Sequence, residues 1–322
     1  MPQLYQSLEA VQLDGTWLTI GVFDGVHKGH QEIIQKLTAG AHQNGAPAVL
    51  LTFNPHPAFV LSGRSIPLIT TLEERVQILF GLDLDAVISL EFTRELAEHS
   101  ADHFMADLKR QLGLKKLLIG YDFALGKNRA GNFERLSQIG IDQGYDVERL
   151  EPVHIEPDEL ISSTLIRQVI ADGKVRKAAD QLGRYYAISG PIIAGDRRGR
   201  TIGIPTANVE VDSSKVLPRN GVYACNALLP GGDKHLAVVN IGMRPTFTSG
   251  EVAPRVEAHL LDYDSDLYGQ TMTLQFVERL RDEQKFSGVE ALIAQIHTDI
   301  QSAYSWLDQE TDTKSSQSGT VF

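Results

Sequence analysis

One cysteine, Cys225, occurs in 322 residues. A lone thiol excludes an internal disulfide and any cysteine-built zinc cluster. Cationic side chains are also in deficit, with Lys+Arg 30 against Asp+Glu 41 and a formal net charge of −11. That balance argues against a nucleic-acid partner, which would usually meet a basic face. A nucleotide remains admissible, because its phosphates need only a local cationic pocket. No apolar run approaches the roughly 18 residues of a membrane span. Met1-Pro2-Gln3 shows no signal-peptide pattern, so the expectation is a cytoplasmic protein without a membrane partner. No Gly-x-x-x-x-Gly-Lys-Ser/Thr loop is present, so any ATP is not held as in P-loop proteins. Nothing in the sequence indicates self-association. What remains is an ordinary folded composition, 42% hydrophobic and 22% charged, at a length that suggests two domains.

The first half alternates strand-like apolar runs (16–22, 47–53, 85–90, 115–120, 146–152) with helical patterns near 29–43, 71–82, 100–112 and 132–143. Thr71-Leu-Glu-Glu74 has capping-box form and Ser100 suits an N-cap. Repeated β–α units imply an α/β domain, a parallel sheet with helices on both faces. Ligands of such sheets bind beyond the carboxyl ends of the strands. Three unusual loops fall there: Gly21–His30, Asn54-Pro-His56-Pro57 and Gly120–Gly131.

In the first of these, Gly21-Val-Phe23-Asp24-Gly25-Val-His27-Lys-Gly29-His30 runs from a strand into Ile33, Ile34 and Leu37, spaced as one helix face. Free N–H groups and the positive end of the helix dipole make such a start an anion site. Two imidazoles three residues apart lie on the same side of the first turn. They can donate to phosphate oxygens without the permanent charge of Lys. Alone, His-x-x-His would be a pair of surface or capping histidines; the glycine-rich turn before it favours a site. Asp24 suits a helix cap, a partner for a histidine, or a group facing a metal-bound triphosphate. Ile161-Ser162-Ser163-Thr164-Leu-Ile-Arg167 is a second helix start, with hydroxyls at its N-terminus and a forked cation one turn along. By itself it would be an N-cap cluster with a surface Arg.

Past Arg184 the pattern changes to short alternating runs at 186–194, 204–211, 221–229, 235–240, 254–263 and 269–280, separated by turn-rich segments. This predicts a six-stranded antiparallel β-barrel. Val289, Leu292, Ile293, Ile296 and Ile300 mark a terminal helix packed on it, and the polar Gln309–Phe322 reads as a disordered tail. Gly195, Gly199 and Gly203 let backbone approach a polyphosphate closely. Thr206 and Asn208 point to one face of an extended segment, and their oxygens suit Mg²⁺. Alone, Pro-Thr-Ala-Asn would be a strand start.

Taken together, these motifs resemble a known family. Gly-x-Phe-Asp-Gly-x-His-x-Gly-His, with Ser162-Ser-Thr-x-x-Arg167 ending the α/β half, resembles the HxGH nucleotidyltransferases, whose sheet is Rossmann-like. Asn54-Pro-His56-Pro and the loop Gly120-Tyr-Asp122-Phe-Ala-Leu125-Gly126-Lys-Asn128-Arg129-Ala-Gly131 resemble that family's flavin segments, with Leu125 in place of the usual second aromatic. Gly203-Ile-Pro-Thr206-Ala-Asn208, Gly221-Val-Tyr-Ala224, Asn240–Phe247, Val256-Glu257–Asp262, Asp266–Gly269 and Leu280–Phe286 resemble riboflavin kinase in the same order. The likeness covers roughly residues 10–307 and points to the bacterial bifunctional riboflavin kinase/FAD synthetases.

The resemblance implies two domains, 1–184 for FMN adenylylation and 185–307 for riboflavin phosphorylation, with ATP, riboflavin, FMN and FAD as substrates or products and Mg²⁺ in both steps. Gly21, Phe23, Asp24, Gly25, Gly29, Ser162, Ser163 and Thr164 would hold nucleotide beside His27, His30 and Arg167. Gly195, Gly199 and Gly203 would hold the second ATP, with Thr206 and Asn208 at the metal. Asn54, His56, Asp122, Asn128 and Arg281 would touch flavin, and Glu257 would be the kinase base. Adenylylation needs no attacking side chain, since the acceptor phosphate is itself a nucleophile, so in-line transfer without a covalent intermediate is expected. Two other readings stay open: a nucleotidyltransferase for another phosphorylated acceptor, and a non-catalytic flavin-binding protein.

Overall fold

The computed structural model describes residues 2–152, 154–156, 159–195, 199, 202–245 and 252–317. Asp196–Arg198, Arg200, Thr201, Thr246–Glu251 and the last five residues of the expected tail lie outside the described residues. The chain divides into two compact units that meet in sequence between Leu165 and Ile166.

The first unit is a parallel sheet of β1 (Gln3–Tyr5), β2 (Trp17–Ile20), β3 (Ala48–Asn54), β4 (Ala86–Glu91), β5 (Lys116–Gly120) and β6 (Asp146–Leu150), in the order β1-β4-β3-β2-β5-β6. Its main helices are α1 (Lys28–Gln43), α2 (Pro57–Ser62), α3 (Leu72–Phe80), α4 (Arg94–Glu98), α5 (Ala101–Leu112) and α6 (Phe133–Gln143). Strand periodicity assigns the two faces. Leu18, Ile20, Val49, Leu51, Leu117 and Ile119 pack against Phe104, Met105 and Leu108 of α5 and Leu136 of α6. The alternate residues Ala48, Leu50, Val87 and Leu118 pack against Ile34 and Leu37 of α1 and Val76 and Leu79 of α3. Both expected caps form. Thr71 and Glu74 make a reciprocal capping box, and Ser100 accepts from His103 N. The strand order reverses between β2 and β5, so the loops after β3, β2 and β5 lie side by side at the carboxyl edge.

A short antiparallel pair, β7 (His154–Glu156) and β8 (Glu159–Leu160), precedes α7 (Ser163–Ala171) and α8 (Val175–Leu182). The second unit is a closed antiparallel barrel of β9 (Tyr186–Ile193), β10 (Ala207–Val209), β11 (Gly221–Leu228), β12 (Lys234–Pro245), β13 (Val252–Leu260) and β14 (Thr271–Arg281), ordered β10-β13-β12-β11-β14-β9. Tyr186, Tyr223 and Phe276 are fully buried, with ring centres of Tyr223 and Phe276 5.3 Å apart. On the other side of the strands, Val222, Ala224 and Val238 meet Ile300 and Ala303 of α9 (Val289–Gln317).

Three expectations need correction. The run 204–211 yields only Ala207–Val209 as strand, consistent with Pro205, which offers no N–H to a ladder. Val289 begins the closing helix but is exposed rather than part of its packed face. That helix also continues to Gln317, so 309–317 are helical where their polar composition predicted disorder.

Candidate functional site

The β2 carboxyl end turns through Phe23 at φ 53, Gly25 at φ 80 and Val26 at φ 40. A β-branched residue in that region is strained, and such strain concentrates at functional sites. The turn is tied down from a distance. Asp24, 1% exposed, accepts from the backbone N–H groups of Ile69 and Thr70 at 3.1 and 3.0 Å, and from Thr70 Oγ1 at 3.2 Å. Its carboxylate therefore anchors the 69–70 segment.

His27 is the N-cap of α1, its Nδ1 accepting from His30 N at 3.3 Å. The two rings stack 3.6 Å apart at 18°, and Phe23 meets His30 edge-on at 4.9 Å. Burial, then His27, then Arg75 hold the His30 imidazole well below its ordinary pKa. His30 Nδ1 is buried with no hydrogen-bond partner among the described residues. A neutral ring with an open nitrogen at a helix N-terminus can receive a phosphate oxygen or gain a proton as anionic charge arrives. Gly21, before the pair, and Gly29, within it, are half-buried.

Sequence reasoning missed Arg75. It is 3% exposed and donates Nη1 to Val22 O at 2.6 Å and Nη2 to Phe53 O at 3.4 Å, so it fastens the ends of two motif loops. Burial lowers its pKa, opposed by Asp24 and Glu73. The signal was present: Leu72, Arg75, Val76 and Leu79 share one helix face, which places a cation in an apolar stripe.

In the second motif, Ser162 Oγ accepts from Leu165 N at 3.2 Å, a cap, and Ser163 Oγ donates to Asp24 O at 2.9 Å. The latter bond joins the two motifs directly. Thr164 is exposed, and Arg167 lies one turn along α7, half-buried. Asn54 ends β3 before a cis peptide to Pro55, and His56 caps α2 by accepting from Ala58 N at 3.1 Å. Asp122 and Asn128 share one loop, closed by Leu125 pairing with Gly131 and by Arg129 donating to Asp122 O at 2.8 Å. Gly126 seats this loop on α5, where a Cβ would lie 2.7 Å from Ala101 N.

In the barrel, Asn208 pairs with Glu257, and Glu257 with Asn240, on neighbouring strands. Arg255, two residues from Glu257 and on its face, donates Nε to Asn208 Oδ1 at 2.6 Å and lies 2.9 Å from Glu257 Oε1. Gly195 completes this cluster, since a Cβ there would sit 2.0 Å from Asn208 Nδ2. Thr206, Gly199 and the 263–268 loop line a cavity of about 620 Å³, and Asn208 and Glu257 are not among its lining residues. Gly203, at φ 77, is exposed. Thr206 immediately precedes β10 and Asn208 lies within it. Both offer the hard oxygen donors a divalent cation takes, so the residues fit Mg²⁺, provided Arg255 yields the Asn208 oxygen.

The Arg281 guanidinium grips Asp299 of α9 through Nε at 2.9 and 3.1 Å and Nη2 at 2.8 Å.

Profiles of known families match both halves in order: FAD synthetase over residues 10–165 and riboflavin kinase over 182–307. The bifunctional riboflavin kinase/FMN adenylyltransferase of Escherichia coli strain K12 is 37% identical over 295 residues, covering 91% of this chain and 93% of its own. That of Bacillus subtilis strain 168 is 35% identical over 289 residues, covering 89% and 90%. A crystal structure described as a macrolide-efflux protein from Streptococcus pneumoniae shares the fold, with TM-score 0.87, 29% identity and coverage of 95% and 100%. Among the described residues no helix is long and apolar enough to cross a membrane. The two matched halves, each carrying its motif cluster, and relatives similar along nine-tenths of their length place this chain in the bifunctional riboflavin kinase/FMN adenylyltransferase family, which uses ATP to make FMN from riboflavin and FAD from FMN.

Proposed function

We propose that residues 1–184 carry FMN adenylylation through His27, His30 and Arg167, and that 185–307 carry riboflavin phosphorylation with Glu257 as base. The observation that supports the first assignment most is the stacked, largely buried His27–His30 pair at the α1 N-terminus, beyond the central strand of the sheet. An oxygen of the FMN phosphate attacks the ATP α-phosphorus, the α–β bridging bond breaks, and pyrophosphate leaves with the electron pair. Charge grows on the α-phosphate oxygens and the bridging oxygen. Imidazole donors, the Arg167 guanidinium and helix N-terminal N–H groups stabilise it best when fixed beforehand. Asp24, Thr70 and Arg75 supply that fixity. Gly21, Phe23, Gly25, Gly29 and Ser162–Thr164 shape the nucleotide cradle, while Asn54, His56, Asp122 and Asn128 lie on the loops that would meet flavin.

Riboflavin presents an alcohol, so its phosphorylation needs a proton acceptor. Glu257 takes the 5′-hydroxyl proton as the oxygen attacks the γ-phosphorus and ADP departs. Arg255 orients the free carboxylate until substrate replaces it. Thr206 and Asn208 would hold Mg²⁺, which when bound neutralises phosphate charge; Gly195, Gly199 and Gly203 leave room for the ATP chain. A cytoplasmic setting suits these freely diffusing substrates.

Chromatography of flavins after incubation with ATP and Mg²⁺ tests the scheme. Riboflavin should give FMN and then FAD, and FMN should give FAD alone. Glu257→Gln should lower the kinase rate on the order of 10²–10⁴-fold and leave FMN adenylylation intact. Full kinase activity in that variant excludes Glu257 as the base.

A further inference from the structure

His99, His103 and Asp107 form a cluster outside both sites. His99 is the C-cap of α4, and α5 presents His103 and Asp107 four residues apart on one face. One ligand atom from each lies within 4.8 Å of the other two. His103 Nε2 is 3.4 Å from Asp107 Oδ2, longer than the roughly 2.7–3.2 Å of a good N–H···O bond. Two ligands about 2.0–2.1 Å from a tetrahedral Zn²⁺ are themselves about 3.4 Å apart, and two imidazoles on such an ion have centres about 5 Å apart. The His99 and His103 rings are 4.8 Å apart at 89°. His99 Nδ1 is, moreover, buried without a hydrogen-bond partner among the described residues. The neighbouring charges are themselves paired. Arg110 binds Asp107 through Oδ1, Lys127 pairs with Glu98, and Arg135 pairs with Asp102.

We propose that His99, His103 and Asp107 form a binding site for a borderline divalent cation of the Zn²⁺ class, with a fourth position open to water. Two imidazoles and one carboxylate suit Zn²⁺, whereas Mg²⁺ prefers oxygen donors throughout. The site bears on the neighbouring loop, because His99 O accepts from Lys127 N at 2.9 Å and Gly126 packs on Ala101. A bound ion braces the footing of residues 121–131. Any effect on FMN adenylylation rests on the assignment above; metal binding itself does not.

Calorimetric titration of the full chain with Zn²⁺, in parallel with His103→Ala and Asp107→Ala, tests this. His103 is exposed, and thermal unfolding in EDTA verifies that each variant is folded. Relative to the unmodified chain, the variants should lose one equivalent of Zn²⁺ or bind it at least about tenfold more weakly. Hydrogen exchange across 121–131 should slow on adding Zn²⁺ in the unmodified chain alone. Identical zinc isotherms in all three proteins, as uptake by His27 and His30 would give, overturn the site. Lost binding with unchanged loop exchange overturns the bracing.

Discussion

The His30 imidazole is disfavoured as a cation in the folded chain by its burial, by His27 stacked on it and by the Arg75 guanidinium. The unfolded chain takes up this proton near pH 6.5, above the folded pKa. Acidification through that point therefore favours the unfolded state, and stability rises with pH across the window. Urea unfolding between about pH 5 and pH 7.5 should show this slope reduced in His30→Gln; an unaltered slope assigns the proton uptake to other groups. Arg75→Met removes charge-assisted bonds to Val22 O and Phe53 O and should cost about 1.5–3 kcal/mol. Denaturation and flavin chromatography should show it impairing FMN adenylylation and sparing the kinase. The His27 cap on His30 N and the Ser162 cap on Leu165 N were legible because each joins groups about one turn apart, whereas Glu257 was singled out by resemblance. The partners of Asp24 and Arg281, Ile69 and Asp299, were not legible because they lie far along the chain.

Gly126 joins the flavin-motif loop to α5 at φ 75, with no space for a Cβ against Ala101 N. Gly126→Ala adds a left-handed penalty of about 1–2 kcal/mol to that overlap, so the loop should lift from α5. FMN adenylylation should fall while riboflavin phosphorylation persists; equal loss of both activities would point to general unfolding instead. Caps and amphipathic faces were readable at this scale because they are local, as Thr71–Glu74 and Ser100 show. Strand limits were less so. β12 runs to Pro245, beyond the apolar stretch that ends near Asn240, because β13 offers partners as far as Val252.

Each unit has its own core, and in the barrel unit a buried ion pair links β14 to α9. The side chains of Arg281 and Asp299 are 19% and 4% exposed. Removing one partner from such a pair costs about 3–5 kcal/mol, mostly because the other charge is left buried. Asp299→Ala should therefore lower the unfolding midpoint of the barrel and weaken riboflavin phosphorylation, with adenylylation of added FMN retained. Calorimetry together with flavin chromatography checks this. Loss of both activities at once would show that the units fold as one.

The sequence by itself determined the two architectures, since hydrophobic period and turn spacing are local properties. Tertiary structure decided which groups are anchors and which are open. Burial by distant elements sets the charge of His30, strand register places Arg255 between Asn208 and Glu257, and helix docking draws Arg281 to Asp299. These outcomes depend on which segments meet in space, and a short-range pattern carries no record of that.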